Sequence, residues 1–183
     1  MKHKILIASD IHGSATYCKQ LLARFEDSGA EKLVLLGDIL YHGPRNDLPD
    51  GYAPKQVIAM LSEYKDKIIA VRGNCEAEVD AMVLPFPVMA DYAVLFFGNK
   101  VLYLTHGHLF SPEAPINMRK GEIMISGHTH IPLRCECDGR IYLNPGSVSI
   151  PKNGSPHSYM LAESDGEGVT FGWYSLDGEE YRV

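Results

Sequence analysis

Polar side chains that can bind metal ions follow five short apolar runs of this sequence. The runs begin near residues 4, 33, 68, 101 and 123, and each gives way within a few residues to aspartate, asparagine or histidine. Carboxylate, amide and imidazole groups are the donors that proteins offer to divalent metals. The pattern therefore predicts a metal site built from Asp10, His12, Asp38, Asn74, His106, His128 and His130.

The donor types restrict the metal. Calcium and magnesium prefer oxygen donors, whereas Mn, Fe, Co, Ni and Zn accept imidazole readily. Two carboxylates, four imidazoles and one amide are too many for one tetrahedral catalytic zinc. Two ions about 3.5–4 Å apart, sharing one bridging carboxylate, would use them all. Each residue alone is more simply explained as a loop or turn residue, and only their joint occurrence favours a site.

Short apolar runs of this kind are typical of buried β-strands. Ligands of open α/β sheets bind at the carboxyl ends of strands, so polar residues at five such ends are expected to meet. In an extended segment, residues i and i+2 point in the same direction. We therefore expect Asp10 with His12, and His128 with His130, to be directed at common points.

Two helices are predicted between the first three strands. Ser14 suits the cap of a helix that ends near Gly29 and carries the apolar stripe Cys18, Leu21, Leu22 and Phe25. Pro54 suits the first turn of a second helix, with Val57, Ile58 and Leu61 on one face. This alternation predicts a βαβαβ half with parallel strands. The loop of residues 41–53 follows Asp38 and is placed to cover whatever Asp38 binds.

The second half contains segments that resemble short strands. They are joined by turns such as Gly98-Asn99 and Asp138-Gly139, as in an antiparallel sheet. The predicted segments are 92–97, 100–104, 131–137, 140–143, 158–161 and 169–176. We expect one domain over residues 1–183, of α/β (α+β) class, with two packed sheets and flanking helices.

Composition excludes several classes of protein. The 183 residues are 45% hydrophobic and 22% charged, as in globular proteins, and the net charge of −6 disfavours a broad nucleic-acid surface. The apolar runs are far shorter than the ~20 residues that span a bilayer. The apolar stretch at residues 5–8 is interrupted before a signal-peptide core forms. We expect a cytoplasmic protein without a membrane partner, and homo-oligomerisation stays open.

The motif set resembles that of the calcineurin-like metallophosphoesterases. The matching motifs lie in the same order and at strand ends over residues 4–150: Asp10-x-His12, Gly37-Asp38, Gly73-Asn74, His106 and Gly127-His128-Thr129-His130. A narrower likeness, to the small bacterial YfcE-type phosphodiesterases, rests on the short length and on Asn144-Pro145-Gly146-Ser147 and His42-Gly43-Pro44-Arg45. The resemblance implies a four-layer αββα sandwich of two mixed sheets flanked by helices.

The resemblance also implies how the metal ligands are shared. One ion would be held by Asp10, His12, Asp38 and His130. The second would be held by Asp38, Asn74, His106 and His128, with Asp38 bridging. Manganese is the implied metal, and the donor chemistry leaves Fe, Co, Ni and Zn open. The expected reaction is hydrolysis of a small phosphoester by a hydroxide that bridges the ions and attacks phosphorus in line with the leaving oxygen.

Four residues are predicted to act on substrate, and one of them, Asn74, is also a predicted metal ligand. Asn74 and Cys75 are the candidate catalytic residues, and Arg45 and His42 are the candidate substrate contacts. Most of the wider family has histidine at the position of Cys75, where it helps to protonate the leaving oxygen, and the YfcE-type members resemble this sequence in having cysteine. An unperturbed thiol has a pKa near 8.5 and is a poorer match than imidazole, which predicts a preference for good leaving groups.

Two other functions stay open. The first is a phosphomonoesterase, including one that acts on phosphoproteins. The second is a non-catalytic protein-binding scaffold, because a retromer subunit of similar fold has that role. That subunit departs from the full ligand set, whereas this sequence keeps all seven positions, which favours an enzyme.

Overall fold

The computed structural model describes residues 2–183, which form two β-sheets packed face to face. The helices are α1 (Ala15–Ser28), α2 (Pro54–Ser62) and α3 (Glu78–Val83), with a short 3₁₀ helix at Lys65–Lys67. The strands are β1 (His3–Ala8), β2 (Lys32–Leu35), β3 (Ile68–Ala70), β4 (Tyr92–Phe97), β5 (Lys100–Thr105), β6 (Ile123–Ile125), β7 (Leu133–Cys137), β8 (Arg140–Asn144), β9 (Ser158–Ser164), β10 (Val169–Ser175) and β11 (Glu180–Tyr181).

Both sheets are mixed, as the predicted fold class requires. The first has the order β11-β10-β9-β1-β2-β3, and its β1, β2 and β3 are parallel, which confirms the βαβαβ half. The second has the order β4-β5-β6-β8-β7. Its centre, β5-β6-β8, is parallel, so the expectation of an antiparallel second half is wrong there. The physical reason is the connection: residues 106–122 cross over from β5 to β6, whereas a hairpin would make the pair antiparallel.

The first sheet is buried on both faces. Ile5 and Ile7 of β1 belong to the core between the two sheets, whereas Leu6 and Ala8 pack into the core beneath α1 and α2. This alternation follows from the two-residue period of a strand. The middle of the outer face of the second sheet is covered by the irregular segment 106–122, which packs on Met124, whereas Phe96 at the edge of that sheet is exposed. Strands held from both faces give the polar residues at their ends fixed positions.

The predicted helix boundaries are confirmed. Ser14 caps α1 by accepting the Tyr17 N–H at 3.2 Å, and α1 ends at Gly29, whose φ is 66°. Pro54 opens α2. The sequence did not indicate α3, because this six-residue helix buries only Asp80 and has no apolar stripe. Among residues 2–183, no helix combines the length and the apolar content needed to cross a membrane.

Candidate metal centre

The seven predicted ligands lie together at one end of the sandwich. Each follows the carboxyl end of a strand: Asp10 and His12 after β1, Asp38 after β2, Asn74 after β3, His106 after β5, and His128 and His130 after β6. Five of them are buried, while His128 is partly exposed and Asn74 is exposed toward a cleft. The prediction that these strand ends converge is therefore confirmed.

One cluster contains Asp10, His12, Asp38 and His130. The Nε2 atom of His130 lies 3.2 Å from Asp10 Oδ1, and Nε2 of His12 lies 3.6 Å from the same oxygen. The Nε2 atom of His12 is also 3.6 Å from Asp38 Oδ2. These four side chains are the set that the family resemblance implies for one ion.

The second cluster contains Asp38, Asn74, His106 and His128. The Nε2 atom of His106 lies 3.1 Å from Asn74 Oδ1, 3.5 Å from Asp38 Oδ2 and 3.2 Å from His128 Nδ1. The same oxygen of Asp38 thus contacts a histidine of each cluster. Asp38 therefore lies between the two clusters.

Backbone carbonyls orient three of the imidazoles. The Nδ1–H groups of His12, His106 and His130 donate to the carbonyl oxygens of Tyr41, Leu36 and Ile150 at 2.8, 2.7 and 2.6 Å. A carbonyl only accepts, so each Nδ1 carries a proton and each Nε2 faces the centre, where it can bind a metal ion once it is deprotonated. The Nε2 atoms of His12 and His130 are 3.3 Å apart, close enough for both to bind one ion.

Buried charge also fits a cation at this centre. Asp10 is fully buried, and its Oδ1 has no well-aligned hydrogen-bond donor within residues 2–183. Burial opposes ionisation of Asp10, but His12, His130 and the charge of His106 hold its pKa well below its usual range. Burial would likewise lower the pKa of His106, yet Asp38 and Asp10 raise it to about 9. Ionised carboxylates held in this interior require positive charge, and the donor set suits divalent ions that accept imidazole.

The ligand pairs converge through a backbone geometry that the sequence reasoning did not anticipate. Five of the seven non-glycine residues with positive φ in the described chain are candidate ligands: Asp10, His12, Asp38, His128 and His130, with φ between 47° and 66°. These residues have left-handed backbone, so the expectation that each pair lies in an extended segment is wrong. The side chains nevertheless meet. Such backbone costs of order 1 kcal/mol or more per residue and is found preferentially at functional sites.

Glu76, which was not predicted, anchors the two loops that follow β2 and β3 and carry Asp38 and Asn74. Its carboxylate accepts the N–H groups of Asp38 at 2.8 Å, Ile39 at 2.7 Å and Gly73 at 2.5 Å. Burial raises the pKa of Glu76, and the three N–H donors oppose that effect. Nothing in the local sequence distinguishes this glutamate from a solvated one, because its partners come from the ends of two different strands.

Ser147 and Ser149 anchor the loop after β1, which carries Asp10 and His12. Their hydroxyl groups donate to the carbonyl oxygen of Asp10 at 3.0 and 3.1 Å. Asn144, at the start of the same segment, donates to Gly127 O at 2.7 Å. The Asn144-Pro145-Gly146-Ser147 motif therefore positions the loops after β1 and β6, which carry four of the candidate ligands.

An open cleft of about 460 Å³ gives access to both clusters. Arg45, a predicted substrate contact, lines it together with Cys75, whose N–H donates to Asp38 Oδ1 at 2.9 Å. Lys152 also lines the cleft and was not predicted. The ring of His42 instead packs between Tyr41 and Tyr52, at centroid distances of 4.7 and 5.3 Å, and its contact with substrate stays a prediction.

The Cys75 thiol lies in an acidic environment. Burial, together with the charge of Asp38, raises the pKa of this thiol above its ordinary value. The Nδ2 atom of Asn74 lies 3.2 Å from Cys75 Sγ. A thiol in this position stays protonated at neutral pH but gives up its proton poorly.

Carboxylate–imidazole clusters at the strand ends of a two-sheet sandwich are suited to a metal-dependent hydrolase. The family model of the calcineurin-like phosphoesterase superfamily domain matches residues 3–167, and the chain belongs to that superfamily. It is a hydrolase that acts on phosphoesters, in a family that uses divalent metal ions.

Individual relatives support the assignment. The chain is 48% identical over 162 residues to phosphodiesterase YfcE of Escherichia coli K12, covering 88% of each chain. The solved structure of YfcE, a phosphoesterase from E. coli, matches with a TM-score of 0.92 and 44% identity over 98% of this chain and 97% of that one. Vacuolar protein sorting 29 from Cryptosporidium parvum shares the fold, with a TM-score of 0.68 and 20% identity over 98% and 95% of the two chains.

Proposed function

We propose that this protein is a dinuclear-metal-dependent phosphodiesterase that hydrolyses a small phosphoester by in-line attack of hydroxide on phosphorus. The observation that supports this most is the position of Asp38. Its Oδ2 lies 3.6 Å from Nε2 of His12 and 3.5 Å from Nε2 of His106, one histidine from each cluster. One ion would be held by Asp10, His12, Asp38 and His130, and the other by Asp38, Asn74, His106 and His128.

Two bound divalent ions, with manganese as our choice and Fe, Co, Ni or Zn as alternatives, would supply a hydroxide at neutral pH and neutralise charge on the phosphate. The protein does the remaining work. Carbonyls behind His12, His106 and His130 fix the imidazoles, which limits rearrangement during the reaction. Arg45 and Lys152 line the cleft and are our candidates for holding non-bridging phosphate oxygens. The single domain over residues 1–183 and the cytoplasmic location stay predictions.

Matched substrates test the reaction class. Turnover of bis(para-nitrophenyl) phosphate and of para-nitrophenyl phosphate is measured side by side with added Mn²⁺. We expect the diester to be hydrolysed faster, in keeping with the description of the E. coli relative as a phosphodiesterase. Faster turnover of the monoester would support the phosphomonoesterase alternative. An absence of metal-dependent turnover of either would support a scaffold.

Manganese is expected to raise the thermal unfolding midpoint of the metal-free protein. An ion that binds only the folded state adds about 2.7 kcal/mol at 100 times its dissociation constant. For a chain of this length that corresponds to roughly 5–10 °C. Calorimetry of EDTA-treated protein with and without Mn²⁺ measures this rise in the unfolding midpoint. Asp10→Asn, which removes one buried ligand charge, is the control and should show a smaller rise; an unmoved wild-type midpoint would contradict the metal site.

Substitutions of Cys75 test proton donation to the leaving oxygen. Cys75→His introduces a group whose ordinary pKa lies near neutrality, and efficient general acids contribute about 10²-fold or more. We expect Cys75→His to raise kcat for a diester with an alkyl leaving group at least about tenfold, with little change for para-nitrophenol. Cys75→Ala should lower kcat for the alkyl diester severalfold. Unchanged rates in both variants would mean that Cys75 only packs.

A further inference from the structure

A second cavity, of about 360 Å³, lies beside the metal-binding cleft. Its walls come from the loop after Asp38, from the start of α2 and from α3. Cys75 lines both this cavity and the cleft, so the two spaces meet at that residue. The apolar part of the wall includes Leu40, Tyr41, Tyr52, Ile58, Val79 and Val83.

The second cavity has the chemistry of an apolar binding site. Tyr41, Val79 and Val83 are 42%, 57% and 43% exposed, a cluster of apolar side chains open to solvent next to a polar cleft. Asp80 is also on the wall, but it is buried and its carboxylate accepts the Ala77 N–H at 3.0 Å. A charged ligand would lose its water here without gaining a partner, whereas an aromatic ring would be stabilised by burial.

We propose that this second cavity binds an aromatic leaving group of the phosphodiester, with Tyr41, Val79 and Val83 as specificity-determining residues. The inference rests on the proposed function. Cys75 lines both the cleft and the second cavity, so one ester group of a diester bound at the clusters extends past Cys75 into the cavity. An aryl oxygen leaves phosphorus more readily than an alkyl oxygen, because phenolate is the weaker base, so an aromatic group bound there is the leaving group.

The reaction balances without a co-reactant. The hydroxide oxygen forms a bond to phosphorus while the bond from phosphorus to the aryl oxygen breaks. The electron pair of the broken bond leaves with the aryl oxygen, and the products are a phosphomonoester and a phenolate. The phenolate takes a proton from water.

The test compares two diesters with leaving groups of matched acidity, methyl para-chlorophenyl phosphate and methyl hexafluoroisopropyl phosphate. Val83→Asp places a carboxylate on the cavity wall. The matched control is Met82→Asp on the same helix, because Met82 is 82% exposed and is not part of the cavity lining. We expect Val83→Asp to lower kcat/KM for the aryl diester at least about tenfold, with the alkyl diester changed less than about twofold. Met82→Asp should change neither.

Binding of naphthol to the metal-free protein, followed by ligand-observed NMR, gives a readout independent of turnover. We expect saturation transfer with wild type and Met82→Asp and its loss with Val83→Asp. If wild type with Mn²⁺ hydrolyses neither diester, the proposed function is overturned and this inference with it. If wild type hydrolyses both and Val83→Asp affects them equally or not at all, the inference alone is overturned.

Discussion

Asp38→Asn is expected to lower kcat at least about a thousandfold while leaving a folded protein, a loss comparable to or larger than removal of one key group that stabilises a transition state. The substitution removes the negative charge that both clusters share. It preserves shape, because asparagine tolerates the left-handed backbone of this position, where φ is 53°. Its amide oxygen can still accept the Cys75 N–H that Asp38 Oδ1 accepts at 2.9 Å.

The measurement is kcat for bis(para-nitrophenyl) phosphate over a range of Mn²⁺ concentrations, with circular dichroism to verify folding. Asp27→Asn is the matched control, because Asp27 is exposed and pairs with Arg24 on the surface of α1. We expect the control to retain wild-type turnover. A folded Asp38→Asn protein with more than about a tenth of that turnover would refute the shared-carboxylate mechanism.

Glu76→Ala is expected to destabilise the fold by about 3 kcal/mol and to abolish turnover, because three backbone N–H groups lose their acceptor. Those groups belong to Asp38, Ile39 and Gly73, at the ends of β2 and β3. The loops that present Asp38 and Asn74 would then lose their common anchor. Displacements of about 1 Å are enough to cost a hundredfold in rate.

Urea denaturation and kcat are measured for Glu76→Ala, Glu76→Gln and Glu78→Ala. Glu76→Gln keeps one oxygen acceptor and should show an intermediate loss of stability. Glu78 is exposed at the start of α3, so Glu78→Ala should behave as wild type. Equal stability of Glu76→Ala and Glu78→Ala would show that Glu76 does not anchor the ligand loops.

The parts of the fold that the sequence predicted correctly are those encoded by local patterns. The cap at Ser14, the stop at Gly29 and the proline that opens α2 are signals within a few residues of each boundary. The convergence of the ligands also followed from a local fact, since every ligand comes just after a buried strand. The parallel pairing of β5 with β6 was missed because the decisive information lies in a long irregular connection.

The parts of the site that were missed depend on contacts between distant segments. Glu76 acts on residues 37 and 38 positions earlier in the chain, and Lys152 reaches the cleft from the segment that precedes β9. The second cavity combines residues of the 41–53 loop, α2 and α3, and α3 has too few buried residues to be recognised from periodicity. Such juxtapositions follow from tertiary structure, so no single stretch of sequence contains them.

The left-handed backbone at five candidate ligands has a consequence for how metal is acquired. Folding itself brings these side chains to their binding positions, so a metal ion meets a preorganised set of donors. Little of the binding free energy is then lost in rearranging the loops. The strained backbone instead lowers the free energy of unfolding of the metal-free protein at each of these positions. Substitutions that relieve this backbone strain would stabilise the fold but remove metal ligands. Stability and activity are therefore opposed at the ends of β1, β2 and β6.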